Sequence, residues 1–303
     1  MPALHRLLTR RQLLIGGTAA AGTLLLGACG DDGSTTDATG TTTGTEPDPQ
    51  GNGLVMAQFF GGAMFVAGER ARLPFGVADG DGLLPTDDTP ARLSVQVLTA
   101  DGTEVGDPVD VARHAEGLPR AYFPLTTTLQ EPGFYTARTE IDGIGTEMNF
   151  QIHAPEDVRV VRPGSPLPAV DTPTADDARG VTPICTNDPV CPLHDVTLTE
   201  ALGEGTPIAL LVATPAFCQI AICGPVLDVL LDVAADHPGI RFLHAEVYAD
   251  PATDLKTYAP VIEPLGLHFE PCLILADASG TVVDRLDTIY DRAELAERLT
   301  RLA

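Results

Sequence analysis

Tryptophan is absent from the 303 residues, and Lys256 is the only lysine. Lysine and arginine together number 18 against 42 aspartates and glutamates, a formal charge of −24. A chain so short of cations has little with which to neutralise phosphates. That argues against nucleic acid as a partner and against electrostatic docking on anionic lipid. The apolar run from Leu13 to Ala28 falls short of the roughly 20 residues a membrane-spanning helix needs. Aromatic residues make up 5% but hydrophobic residues 44%, so two domains can be filled largely with aliphatic side chains. Between Cys29 and Cys185 there is no cysteine. No disulfide can staple a domain built there.

What is present at the start reads as targeting rather than fold. Residues 1–28 carry a basic opening (His5, Arg6, Arg10, Arg11) and then the apolar run, the pattern of an export signal. Thr9-Arg10-Arg11-Gln12-Leu13-Leu14 resembles a twin-arginine signal. Leu26-Gly27-Ala28-Cys29 resembles a bacterial lipobox. The resemblance implies cleavage before Cys29, a diacylglyceryl group on its sulfur, and an extracytoplasmic chain lipid-anchored to the cell membrane. Each buried methylene adds about 0.8 kcal/mol, so several acyl chains hold where one does not. Residues 29–51 are Gly, Thr, Asp, Ser and Pro almost throughout and form a disordered stalk. Its root-mean-square reach is about 25 Å.

Residues 52–155 change to period two. Leu93-Ser-Val95-Gln-Val97 alternates as a half-buried strand does. Asp101-Gly102 and Asp142-Gly143 are hairpin signals. Roughly seven short strands and no long helix predict an all-β sandwich. Pro132-Gly133-Phe134-Tyr135 resembles the strand entry of immunoglobulin-like sandwiches. His114 and His153 have no neighbouring ligand types and read as lone surface side chains, since a metal site needs three or four convergent ligands. This stretch shows no site of its own and reads as a spacer or binding module. Residues 156–182, rich in Pro, Asp, Ala and Thr, read as a semi-rigid linker that partly packs on the domain C-terminal to it.

Residues 183–303 alternate strands with helices, which predicts a central sheet with helices on both faces. Thr197-Leu-Thr-Glu200 is a capping box. Ala209 to Val212 suits a buried strand. Thr214-Pro215 ends it, and Gly224-Pro225 opens an apolar helical stripe, proline being suited to a first helical turn. Cys218 and Cys223 stand between, at a helix mouth that favours a thiolate. Six consecutive helical residues would separate them by about 7.5 Å, beyond the roughly 6.8 Å a disulfide allows. The segment 218–223 is therefore either non-helical, with Gly224 pushed out of the helical region by the proline, or must unwind when the bridge forms. Ile240 to Tyr248 reads as a second core strand. Asp250-Pro251 reads as the start of a helix, and Asp291-Arg-Ala-Glu294 as the cap of the last one.

Cys185 and Cys191 flank the turn Asn187-Asp188-Pro189, close enough to bridge. With His194 they also form part of a zinc-like ligand set. Outside the cytoplasm a structural disulfide is the favoured reading.

The strand–Cys–helix element, the strand after it, and Glu270-Pro271-Cys272 leading into a hairpin pattern resemble the thioredoxin-like superfamily over roughly Pro183 to Ala303. The resemblance implies Cys218 as nucleophile, Cys223 as resolving partner, and Pro271, with Glu270 before it, as a cis proline at a substrate-binding edge. It implies no cofactor, and the thiols or disulfides of exported proteins as partners. The departures are four residues between the cysteines, Phe217 where a tryptophan is usual, and Glu270 where a small or β-branched residue is usual. A carboxylate there opposes thiolate formation. Cys272 is the odd thiol, either a plain core residue or a third sulfur facing the pair. The expected function is a membrane-anchored thiol–disulfide oxidoreductase. The alternatives are a non-enzymatic envelope lipoprotein with structural disulfides, a peroxiredoxin-like peroxidase, or a Sco-like copper chaperone with Cys218, Cys223 and His268 as ligands. The peroxidase would need an activating Arg, for which Arg241 is the one guess. It would also need a Thr where Pro215 stands.

Overall fold

Among the described residues strands outweigh helices, and the longest helix there has 12 residues. The computed structural model describes residues 53–218 and 220–302. The export segment, Cys29 and the stalk lie outside the described residues. Among the described residues no helix is long and apolar enough to cross a membrane.

The strands of the first part pair antiparallel, and one isolated parallel bridge joins Val66 to His153. β1 (Val55–Gln58), β2 (Arg70–Asp79) and β3 (Gly82–Leu83) come in order, then β4 (Arg92–Thr99), β5 (Glu104–Ala112), β6 (Phe123–Thr128), β7 (Gly133–Ile141) and β8 (Ile144–Ile152). One sheet runs β1-β2-β3 with β6 also on β2, and the other runs β5-β4-β7-β8. The alternation read from Leu93 to Val97 is real: Leu93, Val95 and Val97 are buried and Ser94 is exposed. Asp142-Gly143 makes a two-residue hairpin between Ile141 and Ile144, both turn residues at positive φ, as such a turn requires. Phe75, Leu73 and Phe123 from the first sheet share one core with Val95, Ala137 and Phe150 from the second.

The second part contains α1 (Leu198–Gly203), β9 (Ile208–Val212), α2 (Cys223–Ala234), β10 (Arg241–Ala245), β11 (Tyr248–Asp250), β12 (Asp254–Tyr258), α3 (Ile262–Leu265), β13 (Cys272–Ala276), β14 (Val282–Asp287) and α4 (Arg292–Leu299). Its sheet has the order β10-β9-β13-β14; β10 is parallel to β9, the other pairings antiparallel. β9 and β13 are buried at every position, as their unbroken apolar runs demand. Ile208, Leu210 and Val212 point into one core with α1 and α3. Ala209 and Leu211 point into the other with α2 and α4.

Three expectations change here. Asp250-Pro251 starts no helix. It turns the hairpin β11–β12, with Thr253 Oγ1 donating to Asp250 Oδ2 at 2.7 Å. A capping residue followed by proline also fills the first two places of a type I turn, and here the strands won. Gly224 is not expelled from the helix, because α2 already begins at Cys223. Pro225 therefore falls in the first turn, where its missing N–H leaves nothing unpaired. His114 is not a lone surface side chain but is bonded to Asp291 Oδ1 at 2.9 Å.

Residues 156–182 lie against the second part. Val158, Val160, Leu167, Val170 and Val181 are buried in the core of α1 and α3. Gly164 and Leu167 donate backbone bonds to Val282 and Gly280.

The two parts meet through buried charge. Arg72 of β2 makes paired 2.7 Å bonds to both carboxylate oxygens of Glu294 in α4. It also donates to the carbonyls of Asp287, at 3.0 Å, and Ile289. Tyr122 adds its hydroxyl to Glu294 at 2.6 Å. Arg285 of β14 reaches back to the carbonyls of Met64 and Val161.

Candidate functional site

The end of β9 delivers Cys218 into a turn, and the first residue of α2 is Cys223. The two are disulfide-bonded with Cα atoms 5.9 Å apart. The turn between them includes Ala221 at φ 53°, so the segment before Cys223 is not helical. The two sulfurs differ in access. Cys223 is fully buried, while Cys218 is half-exposed. The half-exposed sulfur is the one an incoming thiol can reach, and it lies beside the mouth of α2, where the helix dipole favours an anion.

Glu270 lies against the buried sulfur. One carboxylate oxygen, Oε2, is 3.5 Å from Cys223 Sγ and accepts from the Thr214 backbone N–H at 2.7 Å. Burial raises the Glu270 pKa against the pull of the Thr214 bonds. The Glu270–Pro271 peptide is cis. Pro271 is buried, and its carbonyl accepts from the Thr288 N–H at 2.8 Å.

Cys218 and Glu270 line a cavity of about 550 Å³ whose other walls include Phe59, Phe60, Tyr248, Tyr258 and His268. Phe217, Ile220 and Tyr258 are exposed apolar side chains at this place. Residues 58–62 come from the β part, which the sequence had shown as siteless. The signal was Phe59-Phe60-Gly61-Gly62, two aromatics followed by two glycines. Gly62 has φ 75°, and a Cβ there would stand 2.6 Å from His268 Nε2. His268 therefore packs on that loop.

The other expected residues separate. His268 lies in the cavity wall, but the groups within ligand distance of one another at this point are Cys218, Cys223 and Glu270. Arg241 pairs with Glu204 and sits opposite Ile208, at the other end of β9 from Cys218. It is not placed to activate that thiol. Cys272 is buried in the core on the opposite face of the sheet from Cys223. Burial raises its pKa well above the ordinary thiol value, so it is a plain core thiol rather than a third sulfur facing the pair.

Cys185 and Cys191 are free thiols, not bridged. Two imidazoles stand beside them: His194 Nε2 is 3.2 Å from Cys191 Sγ, and His244 Nδ1 is 3.4 and 3.7 Å from the sulfurs of Cys191 and Cys185. The Cys191 hydrogen bond pulls the Cys185 thiol pKa down and pushes that of Cys191 up. His244 lay hidden within a core strand, 53 residues beyond Cys191 and 59 beyond Cys185.

No family model matches the chain, and no curated protein matches it. Among solved structures it is similar to MTB dsbF, seen in mixed oxidized and reduced forms, at 23% identity over 45% of this chain and 99% of that one, TM-score 0.32. It is also similar to the hypothetical protein PH1083 from Pyrococcus horikoshii OT3, at 15% identity over 35% of this chain and 92% of that one, TM-score 0.23. Both superpositions are too loose to bear on the chemistry.

Proposed function

We propose that this chain is a thiol–disulfide oxidoreductase acting on exported proteins. In this reading a thioredoxin-like unit (residues 183–303) succeeds an immunoglobulin-like β unit (52–155), and the whole is held to the cell membrane through lipid on Cys29. The observation that carries it is the asymmetry of the bridge. One sulfur opens onto an apolar cavity, and the other is buried against a carboxyl group.

That asymmetry sets the chemistry. In the reducing direction the Cys218 thiolate attacks one sulfur of a substrate disulfide. A Cys218–substrate bond forms, the substrate S–S bond breaks, and the first substrate thiolate leaves. Cys223 then gives its proton to the Glu270 carboxylate and attacks Cys218 Sγ. The intramolecular bridge forms, the mixed disulfide breaks, and the second substrate thiolate leaves. Two electrons pass from the cysteine pair to the substrate. The oxidising direction is the reverse, with Glu270 returning the proton to Cys223. Aromatic walls around Cys218 suit an unfolded segment with apolar side chains rather than a small polar molecule.

The reduction potential of the Cys218–Cys223 pair tests this. A potential well above about −300 mV is expected, since inert structural bridges lie below that value. A lower potential, or failure of Cys223→Ser to trap a mixed disulfide with an unfolded disulfide-containing peptide, rejects the reading.

A further inference from the structure

We propose that Cys185, Cys191, His194 and His244 form a closed tetrahedral zinc site, separate from the redox pair. Their four ligand atoms all lie within 4.8 Å of one another, and all four residues are buried. A tetrahedral ion with Zn–S near 2.3 Å and Zn–N near 2.05 Å sets its sulfur and nitrogen ligands about 3.6 Å apart. The observed sulfur–nitrogen distances are 3.2, 3.4 and 3.7 Å.

The outer partners fit too. His244 directs Nε2 at the Ala213 carbonyl, 3.0 Å away. A carbonyl only accepts, so Nε2 carries the proton and Nδ1 presents its lone pair to the sulfurs. Carbonyls orient metal-bound histidines in this way. His194 has no protein partner on its buried Nδ1, so nothing commits its Nε2 to being a donor. The Leu193 carbonyl accepts from the His244 N–H at 3.0 Å, which clamps the cysteine loop to β10. Two buried thiols set against two buried imidazole nitrogens form a polar cluster that is costly to keep from water. A cation bound by all four removes that cost.

Charge selects the ion. Two thiolates and a divalent cation leave the site neutral, whereas a monovalent cation leaves a buried negative charge. A buried net charge is costly, so the neutral combination with a divalent ion is favoured. Four protein ligands leave no open position, which makes the site structural.

The test uses the full chain, purified in detergent without chelator and supplied with Zn²⁺ alone. One zinc per chain is expected by elemental analysis. In its place, Co²⁺ should give tetrahedral d–d bands with thiolate-to-metal charge transfer. Cys218→Ser/Cys223→Ser should keep the zinc in full, which separates this site from the redox reading. His244→Ala should retain less than a tenth of it. Should His244→Ala not fold, the unsubstituted protein still decides the matter. Unfolded in chelator without reductant, it should offer both Cys185 and Cys191 for alkylation, as it does Cys272. Recovery of Cys185 and Cys191 unalkylated, as one linked peptide, overturns the site. Binding of Cu⁺ but of neither Zn²⁺ nor Co²⁺ overturns the zinc assignment.

Discussion

A carboxyl group 3.5 Å from a buried sulfur can either repel a thiolate or take a proton from a thiol. At Glu270 the second role fits, because Cys223 is fully buried and no water need reach it to carry the proton away. The ordinary carboxyl pKa of 4.5 is raised here, by burial first. The base form therefore appears only above that value, and resolution by Cys223 should quicken as pH rises through it. Glu270→Gln should leave the first attack by Cys218 intact and slow release of the mixed disulfide on the order of 100-fold. The acid-side inflection should vanish with it. Rapid-quench analysis of the mixed disulfide formed by the reduced protein with a disulfide peptide measures both steps. Equal slowing of both, or a surviving inflection, excludes the role. The resemblance to the thioredoxin-like superfamily made Cys218, Cys223 and Glu270 nameable from sequence. The direction of Glu270's effect was not, because it depends on which sulfur the carboxyl touches.

The helix starts were legible where a side chain makes the cap. Thr197 and Glu200 form the reciprocal capping box at α1, and Asp291 accepts from the Glu294 N–H at α4. They were not legible where the same residue types serve a turn, as Asp250-Pro251 does, since local chemistry permits both and only the β11–β12 pairing decides. That residues 156–182 pack partly on the second part was expected, but the surface they take was hidden for a similar reason. Prolines give extended backbone, but what that backbone lies on is a tertiary matter. Gly266 marks the place. It closes α3 at φ 63°, and a Cβ there would stand 2.3 Å from the Arg159 carbonyl oxygen. Neither backbone can yield cheaply. Gly266→Ala should cost about 2–3 kcal/mol, through both the left-handed conformation and the clash, and lower the melting temperature by several degrees. A melting temperature within a degree of the parent would mean that this segment does not rest on α3.

At the scale of the whole chain, the β part is a wall of the cavity beside Cys218, and buried charge helps to hold it there. Burial would raise the Glu294 pKa, but the Arg72 charge and hydrogen bonds, with those of Tyr122 and Arg298, bring it down to about 2. A lowered carboxyl pKa contributes stability above its ordinary value of 4.5, lost as pH falls toward 2. The difference is on the order of 3 kcal/mol. Asp291 is likewise lowered: burial opposes the shift and the His114 hydrogen bond drives it. His114 is raised, by that same hydrogen bond first, so its contribution is complete below 6.5 and fades as pH rises through the raised value. All three contributions coincide between about 4.5 and 6.5, where melting temperature should peak. Arg72→Met tests the origin of the acid limb. At neutral pH it leaves Glu294 buried without its main partner and should cost about 3–5 kcal/mol. Toward pH 4 the orphaned carboxyl can take a proton, so the gap between parent and variant should narrow. Because residues 58–62 line the cavity beside Cys218, the variant should also react more slowly with an apolar cysteine peptide than with a small thiol, relative to the parent. Thermal melts across pH, with those two thiol rates, check the chain of cause from Arg72 to the cavity. A variant with the parent's acid limb and unchanged rates would show that the two parts are held together by something other than this ion pair.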